Sequence, residues 1–529
     1  MIAVTAAEMR ALDRWTIDHG TPGHVLMERA GAGAARVLRE RLRRPRGPVV
    51  VVCGRGNNGG DGFVIARHLR RARVPVDVWL AARPDEVRGD AARMLAAWRR
   101  VRGTIHDLTT TDAVDALCRR LRGAATVVDA LFGTGLNAPV TGIAAAAIEV
   151  MNSCGAPVFA VDIASGLSAD TGTALAVAVR ATVTATFGFP KVGQLFYPGV
   201  DHTGLLAVVD IGIPPEAVAA IGPRVSLLES EEVGRLLAPR PRDAHKGTFG
   251  HVLVIAGSRG KTGAALLASA AATRSGAGLT TLAIATTLQP ILEGHVREAM
   301  TAALPDTGDG SAALGDGATL DELLAGRTAV VCGPGLGLAD PTRALVAEVV
   351  RRATVPLVLD ADGLNAVAGT DLLRERAGPT VVTPHPGEMA RLLGTDTAHV
   401  QADRLGAART LAARDRVIVV LKGARTIVAS PDSGTAISPT GNPGMASGGM
   451  GDVLAGVVGA LLAQGLDPFD AAVLGVFAHG AAGDAVAGRR GEVGLLASDL
   501  VDELPPTLAA LQTAARPESP RQRGYRAGA

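Results

Sequence analysis

Residues 441–462 read GNPGMASGGMGDVLAGVVGALL, and this stretch says most about how the chain folds. A run of glycines leads through GMGD into a long apolar segment, which predicts a helix over 452–464 with an anion pocket at its amino end. Asp452 at the mouth of that pocket is a candidate general base. Because Asp often caps helices at such a position, a purely capping role is the alternative interpretation.

Four further motifs in the same half of the chain place glycine and polar side chains after apolar runs. They are CGPGLG (332–337), LDADGLN (359–365), TPHPGEM (383–389) and LKGART (421–426). We assign all four to one constellation with GMGD. His385 stands between two prolines in a rigid loop, which favours a functional histidine over a purely structural one.

Short Val-rich runs alternate with helical stretches along both halves of the chain, for example PVVVVCG and HVLVIAGS. This alternation predicts βαβ units and parallel sheets covered by helices on both faces. Two amphipathic helices, broken at 19–22, are predicted between residues 5 and 45. A chain of 529 residues exceeds what one hydrophobic core usually supports. We place the junction between two domains around 213–244, where the pattern fades.

Three loops in the first half follow predicted strands and carry side-chain oxygens. CGRGNNGGDGF (53–63) is a glycine-rich turn that leads into a helix predicted to begin near Phe63. The others are VVDALFGTGL (127–136) and VDIASGLSADTG (161–172). Because strand ends of an open α/β sheet meet in one crevice, we expect the loops to converge.

The polar groups of these loops are amide, carboxylate and hydroxyl oxygens, without Cys or His, which favours a hard cation over a transition metal. The alternative for any single loop is a set of Asx-turns and helix caps. The residues concerned are Asn57, Asn58, Asp61, Asp129, Asp162 and Ser165.

Composition excludes several classes of protein. A net charge of +2 and only 3% aromatic residues predict no nucleic-acid partner and no charged membrane surface as a target. The amino-terminal residues lack the apolar core of a signal peptide, and the four scattered cysteines suit a reducing compartment, so we expect a cytoplasmic protein without a membrane span. Assembly into a homo-oligomer is compatible with the sequence. Lysine is scarce and occurs only at Lys191, Lys246, Lys261 and Lys422, so we rank the segments around these residues as candidate sites.

In the first half, GRGNNGGDGFVIARHL, VVDALFGTGL, VDIASGLSADTG and FGFPKVG resemble, in order, the NAD(P)HX epimerase domain, a Rossmann-like three-layer α/β/α fold. The one departure is Ala164, where the family usually has proline. The resemblance implies a potassium ion at Asn58, Asp129 and Ser165. It also implies contacts with the hydrated dinucleotide NAD(P)HX at Asn57, Asn58, Gly59, Gly60, Asp61, Gly133, Thr134, Gly135, Leu136, Asn137, Ala138, Pro139 and Asp162.

In the second half, the motifs above, with KGTFGHVLVIAGS and GAALLASAAATRSGAG, resemble the ADP-dependent NAD(P)HX dehydratase domain, a ribokinase-like fold. The resemblance implies that ADP becomes AMP and phosphate as water leaves the substrate, with Mg²⁺ as the ion. It implies substrate contacts at Ala264, Gly337, His385 and Asp452. The implied ADP contacts are Lys422, Gly423, Ala424, Arg425, Thr426 and Gly451.

The expected organisation is therefore an epimerase domain over 1–215, a dehydratase domain over 225–510 and a disordered tail over 515–529. We expect the first domain to interconvert R- and S-NAD(P)HX, with Asp162 as candidate acid–base group. In the second, phosphoryl transfer from ADP would activate the C6 hydroxyl while Asp452 accepts its proton.

Two alternatives have a basis in the sequence. The GxGD helix start also occurs in ribokinase-like kinases of vitamins and sugars, and the first domain's fold also serves as a binding scaffold in mRNA-decapping enhancers. The combination with PHPGE and DADGLN argues against a kinase. A scaffold has no need to keep Asn58, Asp129, Asp162 and Ser165 together.

Overall fold

The computed structural model describes residues 1–41 and 47–515. The chain forms two compact units, one of residues 2–225 and the other of Met1 with the residues from 226 onward. The predicted tail, 515–529, lies outside the described residues apart from Ala515. The predicted fold class, two α/β domains with parallel sheets, is confirmed.

The first unit alternates strands and helices as its sequence predicts, and two helices flank the predicted break at 19–22. Its strands are β1 (Ile2–Ala3), β2 (Val49–Cys53), β3 (Val76–Leu80), β4 (Ile105–Asp107), β5 (Thr126–Ala130), β6 (Val158–Val161), β7 (Val183–Phe187) and β8 (Leu205–Val209). Its helices are α1 (Ala6–Asp18), α2 (Gly23–Arg41), α3 (Asn57–Arg71), α4 (Gly89–Arg100), α5 (Thr111–Leu121), α6 (Gly142–Ser153), α7 (Gly199–Thr203) and α8 (Pro215–Ile221).

Strands β2 to β8 form a parallel sheet in the order β4-β3-β2-β5-β6-β7-β8. The side chains of Val49 to Val52 are fully buried, as a strand covered on both faces requires. Strands β2, β5 and β6 are neighbours in the middle of the sheet. Their carboxyl ends therefore bring the three oxygen-bearing loops to one edge.

Helix α3 begins at Asn57, six residues before the predicted start near Phe63. The glycines of NNGGDG are thus helical, and close packing explains why they are glycines. A Cβ at Gly59 would lie 1.9 Å from the carbonyl oxygen of Gly54, and one at Gly62 would lie 2.7 Å from Cys53 Sγ. Glycine lets the helix approach the strand end closely.

The second unit has more strands and helices than the motifs alone predicted. Its strands are β9 (Val225–Leu227), β10 (His251–Ile255), β11 (Leu279–Ala285), β12 (Met300–Leu304), β13 (Ala329–Cys332), β14 (Leu357–Leu359), β15 (Thr380–Val382), β16 (Ile418–Leu421), β17 (Ile427–Ser430) and β18 (Gly434–Ile437). Its helices are α9 (Ser230–Gly234), α10 (Thr262–Arg274), α11 (Gln289–Glu293), α12 (Ala318–Leu324), α13 (Asp340–Arg352), α14 (Asp362–Val367), α15 (Leu372–Glu375), α16 (Pro386–Leu393), α17 (Thr397–Ala402), α18 (Arg404–Asp415), α19 (Met450–Ala463), α20 (Pro468–Arg490) and α21 (Ala497–Ala514).

Nine of these strands follow the order β18-β17-β16-β15-β14-β13-β10-β11-β12. All neighbours from β16 to β12 are parallel, whereas β17 and β18 pair antiparallel. Strand β17 also pairs antiparallel with β16, so this hairpin is an antiparallel addition to a sheet that is otherwise parallel, as predicted. A parallel neighbour needs a crossover of about a dozen residues, and the chain between β16 and β17 is too short for one.

Helices α19 and α20 form much of the interior of the second unit. Helix α19 begins at Met450, close to the predicted start, and is buried along most of its length. Among the described helices, α20 is the one long and apolar enough to cross a membrane by length and composition, and 72% of its apolar window is buried inside the protein. Such burial is typical of a core helix.

Candidate active sites

The first unit contains a cavity of about 570 Å³ at the carboxyl ends of its central strands. Of the residues that the sequence assigned to the dinucleotide, those that line it are Asn57, Asn58, Asp61, Gly133, Thr134, Gly135, Leu136 and Asp162. Gly59 and Gly60 are not lining residues and are tightly packed behind the cavity lining. Residues 137–139 are exposed and are not among the lining residues.

Asp162 is held firmly at this cavity by Lys191. Its backbone has a φ of +66°, a left-handed conformation that non-glycine residues seldom adopt. Its Oδ1 accepts hydrogen bonds from Lys191 Nζ and, at 3.1 Å, from the Phe187 N–H. Lys191 is fully buried and also donates to Thr186 Oγ1 at 2.9 Å and to the Phe187 carbonyl at 3.0 Å. Sequence reasoning noted Lys191 only as a scarce residue and gave it no role.

The three residues assigned to a cation meet around the backbone of Phe132. Ser165 Oγ donates to Asp129 Oδ1 at 2.6 Å and accepts from the Phe132 N–H at 2.8 Å. Asn58 Nδ2 donates to the Phe132 carbonyl at 2.9 Å. Burial raises the pKa of Asp129 to about 6, against hydrogen bonds from Ser165 that lower it. The group of side chains around the Phe132 backbone therefore contains one carboxylate, and its other oxygens are neutral.

Two further carboxyl groups line the same cavity. Asp61 is only 7% exposed, and burial, together with Asp162 and Asp13, raises its pKa well above the ordinary value. Asp13 lines the cavity from α1, which in the sequence is well separated from every motif assigned to the site. No sequence signal distinguishes Asp13 from the other acidic residues of an amphipathic helix.

In the second unit, Lys422 lies between two acidic groups. Its Nζ donates to Asp360 Oδ1 at 2.6 Å and lies 3.8 Å from Glu388 Oε2. Burial would lower the pKa of Lys422, but Asp360 and Glu388 outweigh that effect and raise it. Asp360 is almost fully buried and also accepts from Thr383 Oγ1 at 2.7 Å. DADGLN, PHPGE and LKGART are thereby brought together.

Asp452 lies in the first turn of α19 beside this lysine. The cap position is occupied by Gly449, with a φ of +91°, and not by Asp452, which lies in the first turn, so the capping alternative is not supported. Burial and Asp360 raise the pKa of Asp452 to about 6, while Lys422 lowers it. A Cβ at Gly451 would lie 3.3 Å from Lys422 Nζ, so the helix end and the ammonium are in close contact.

Gly337 and Ala264 belong to the neighbouring glycine loop. The Gly337 N–H donates to Asp362 Oδ2 at 2.9 Å, and Lys261 Nζ donates to the same oxygen at 3.0 Å. Ala264 lies against Gly335, where an added Cβ would be 3.0 Å from the alanine methyl. Asp362 thus ties the loop of Gly337 to the DADGLN motif.

His385 has a structural role that its sequence context did not favour. It caps α16: its Nδ1 accepts from the Gly387 N–H at 3.0 Å, while Glu388 Oε2 accepts from the His385 N–H at 2.7 Å. About half of the imidazole, 52%, stays exposed, and Nε2 lies 3.4 Å from Glu388 Oε1. Capping uses one ring nitrogen and leaves the other at the surface.

The loop of Lys422 to Thr426 is braced by Arg404 from α18. The guanidinium donates to the carbonyls of Ala424 at 2.5 Å, Lys422 at 3.2 Å and Leu421 at 3.4 Å. Burial lowers the pKa of Arg404 to about 10. Sequence reasoning missed this residue because one arginine among dozens carries no local signal.

Comparison with known proteins covers both units. A family described as NAD(P)H-hydrate dehydratase matches residues 252–506, and one described as YjeF-related protein N-terminus matches 23–193. The bifunctional NAD(P)H-hydrate repair enzyme Nnr of Moorella thermoacetica is 44% identical over 519 residues, 97% of each chain. The enzyme of the same name from Thermofilum pendens is 41% identical over 518 residues, again 97% of each chain.

Solved structures are similar to part of this chain, and we report one of them. It is the ADP/ATP-dependent NAD(P)H-hydrate dehydratase from Bacillus subtilis, co-crystallized with ATP/Mg²⁺. It is 32% identical, covers 54% of this chain and 99% of its own length, and has a TM-score of 0.48.

The relatives match both halves of this chain in one polypeptide, and nearly from end to end. The resemblance drawn from the motifs is therefore confirmed, and a kinase joined to a binding scaffold is not supported. The chain belongs to the family of bifunctional NAD(P)H-hydrate repair enzymes.

Proposed function

We propose that residues 1–215 interconvert the R and S epimers of NAD(P)HX and that residues 225–510 dehydrate S-NAD(P)HX to NAD(P)H while ADP becomes AMP and phosphate. The observation that carries this proposal is that Lys422 lies beside the amino end of α19 and close enough to Asp452 to lower its pKa. It combines an anion-binding helix end, a cation and a carboxylate that can accept a proton. Family membership supports the same assignment.

In the dehydratase site, the substrate hydroxyl on C6 needs activation and a proton must leave. The hydroxyl oxygen bonds to the β-phosphorus of ADP as the bond from that phosphorus to AMP breaks, and Asp452 accepts the hydroxyl proton. Phosphate then leaves C6 with the C–O electron pair, and the proton lost from the neighbouring carbon goes to the departing phosphate, so that a C=C bond forms. Lys422 and the N–H groups of GMGD stabilise charge on the moving phosphate. Because burial and Asp360 raise the pKa of Asp452 to about 6, this carboxylate is a stronger base than an exposed one.

The proposed ligand contacts follow the motifs that meet in this site. Substrate contacts are assigned to Ala264, Gly337, His385 and Asp452. The loop of Lys422, Gly423, Ala424, Arg425 and Thr426, together with Gly451, is assigned to ADP. Among the described residues no group of three His, Cys, Asp or Glu side chains could hold a metal by itself. Mg²⁺ is therefore expected to arrive on the nucleotide phosphates, where it keeps its own waters.

In the epimerase site, the cavity residues and Asp162 are assigned to the hydrated nicotinamide, with Asp162 as acid–base group. Potassium is assigned to Asn58, Asp129 and Ser165. The donor set fits a monovalent ion, because one carboxylate with hydroxyl and amide oxygens carries too little charge for a divalent one. The Phe132 carbonyl adds a neutral oxygen at the same point. The ion would supply a fixed positive charge beside the cavity.

The cellular setting is also part of the proposal. All four cysteines are free, which supports a reducing, cytoplasmic location. NAD(P)HX and ADP are the proposed partners, and the near-neutral charge gives no reason to expect nucleic acid.

The direct test is to incubate the full chain with mixed-epimer NADHX and follow the absorbance of restored NADH. We expect restoration only when ADP is present, and both epimers should be consumed. Vitamins and sugars offered with ATP are the control for the kinase alternative. Phosphorylation of one of them without restoration of NADH would contradict the proposal.

A further inference from the structure

One acidic residue of the epimerase cavity is not engaged by the rest of the structure. Asp13, on α1, lines the cavity with Asp61, Asp162 and Lys191. Within 1–41 and 47–515, its carboxyl group makes no recorded hydrogen bond or ion pair. Lys191, by contrast, is committed to Asp162, Thr186 and the Phe187 carbonyl. The carboxyl group of Asp13 is therefore available to a bound ligand.

The charges around the cavity decide which carboxyl groups hold a proton. Asp13, Asp61 and Asp162 share one buried ammonium, that of Lys191. The other charged residues of the lining are Asp90, which is half-buried, and Arg10 and Arg55, which are exposed. Three carboxylates around one ammonium in a buried site favour protonation of at least one of them.

The protons are not shared evenly. Asp162 accepts a hydrogen bond from Lys191, whereas burial and the neighbouring carboxyl groups raise the pKa of Asp61 well above the ordinary value. Burial and the charge of Asp162 raise the pKa of Asp13 to about 6, against a lowering effect of Lys191. A proton-transfer group works best when its pKa lies near the working pH. Of the two carboxyl groups without a partner, Asp13 meets that condition better than Asp61.

We propose that Asp13 is a second proton-transfer residue of the epimerase site and works as the partner of Asp162. This inference rests on the proposed epimerase function. Protonated Asp13 donates to the hydroxyl on C6, the C6–O bond breaks, and its electron pair leaves with the oxygen as water. The lone pair of the ring nitrogen forms a double bond to C6, which makes that carbon planar. Water then adds to the opposite face and gives a proton to Asp162, while the electron pair of the C=N bond returns to nitrogen. Exchange with solvent restores the proton to Asp13, and in the reverse direction the two carboxyl groups exchange roles.

The test compares Asp13→Asn and Asp13→Glu with wild type in the full chain, using R-NADHX as substrate. Asp13→Asn keeps the shape but cannot transfer a proton, so kcat for epimerisation should fall ~10²–10⁴-fold with KM little changed. Asp13→Glu should recover part of kcat and displace the limb of the pH profile that we expect near 6 for wild type, where the pKa of Asp13 lies. Asp18→Asn, at the exposed end of the same helix, is the matched control and should leave kcat unchanged.

Dehydration of S-NADHX by the same preparations reports on folding and concentration, because that site lies in the other unit. If wild type epimerises and Asp13→Asn keeps more than about a tenth of its kcat, the inference is overturned while the proposed function stands. A loss that appears in KM alone also overturns it, since that is the mark of a binding role. If wild type itself does not epimerise, the proposed function fails and the inference fails with it.

Discussion

Lys191 in the first unit and Lys422 in the second both form an ion pair with an aspartate, yet their surroundings differ. Each pairs with an aspartate that follows a central parallel strand. Lys191 is fully buried, and its three donors are satisfied by Asp162, Thr186 and Phe187. The Lys422 side chain is 19% exposed and lies beside the amino end of α19, and among the described residues its one hydrogen-bond acceptor is Asp360. An ammonium whose three N–H donors are all used, as in Lys191, orients its carboxylate. An ammonium with N–H donors still available, as in Lys422, can also bind an anion.

The largest expected effect concerns the second site. Asp452→Asn removes a base but keeps the shape of the helix end, so dehydration should slow ~10²–10⁴-fold while ADP binding and epimerisation persist. Steady-state rates and equilibrium binding of ADP measure the two effects. Asp502→Asn, on an exposed aspartate of the same unit, is the control. A variant with more than about a tenth of wild-type turnover would rule out general-base catalysis by Asp452.

The next prediction tests whether Lys191 orients Asp162. Lys191→Met leaves the Asp162 carboxylate without its ammonium, so the first unit should lose about 3–5 kcal/mol of stability and epimerisation should be lost as well. Chemical denaturation and the epimerase assay check both effects. Lys246→Met, at an exposed lysine, should change neither. Unchanged stability in Lys191→Met would mean that Asp162 does not depend on this pair.

A third prediction uses the pH dependence of dehydration. Asp452 must be ionised to accept a proton, and its pKa is raised to about 6, so activity is present above that pH and lost below it. The rate should fall about tenfold for each pH unit below 6. Binding of ADP over the same range is the control. A rate that stays flat as the pH falls through 6 would contradict the assignment.

The smallest effect expected is on ion dependence, where the two sites should respond differently. Epimerisation should require potassium, fall when sodium or lithium replaces it and be indifferent to a chelator of divalent ions. Asp129→Ala should abolish the potassium response without changing dehydration of S-NADHX. If EDTA stops epimerisation while removal of potassium does nothing, the monovalent site is refuted.

Much of the fold and the grouping of motifs could be predicted from the sequence. Parallel βαβ units follow from Val-rich runs between helices, and DADGLN, PHPGE and LKGART do meet at Lys422. One boundary was wrong because close packing overrides local preference: helix α3 begins at Asn57 since glycines let it reach the strand end. The capping role of His385 was not predicted from the sequence, and its contact with substrate stays a prediction.

The sequence by itself determined the two α/β domains, the family and the motifs at the strand ends, because periodicity and short motifs are local properties of the chain. Only the tertiary structure decided that all three N–H donors of Lys191 have acceptors and that Arg404 hydrogen-bonds to the loop of Lys422. The tertiary structure also decided that Asp13 lines the epimerase cavity. Burial, hydrogen-bond satisfaction and pKa depend on groups brought together from distant parts of the chain. A lysine, an arginine or an aspartate therefore acquires its role from neighbours that its own segment does not contain.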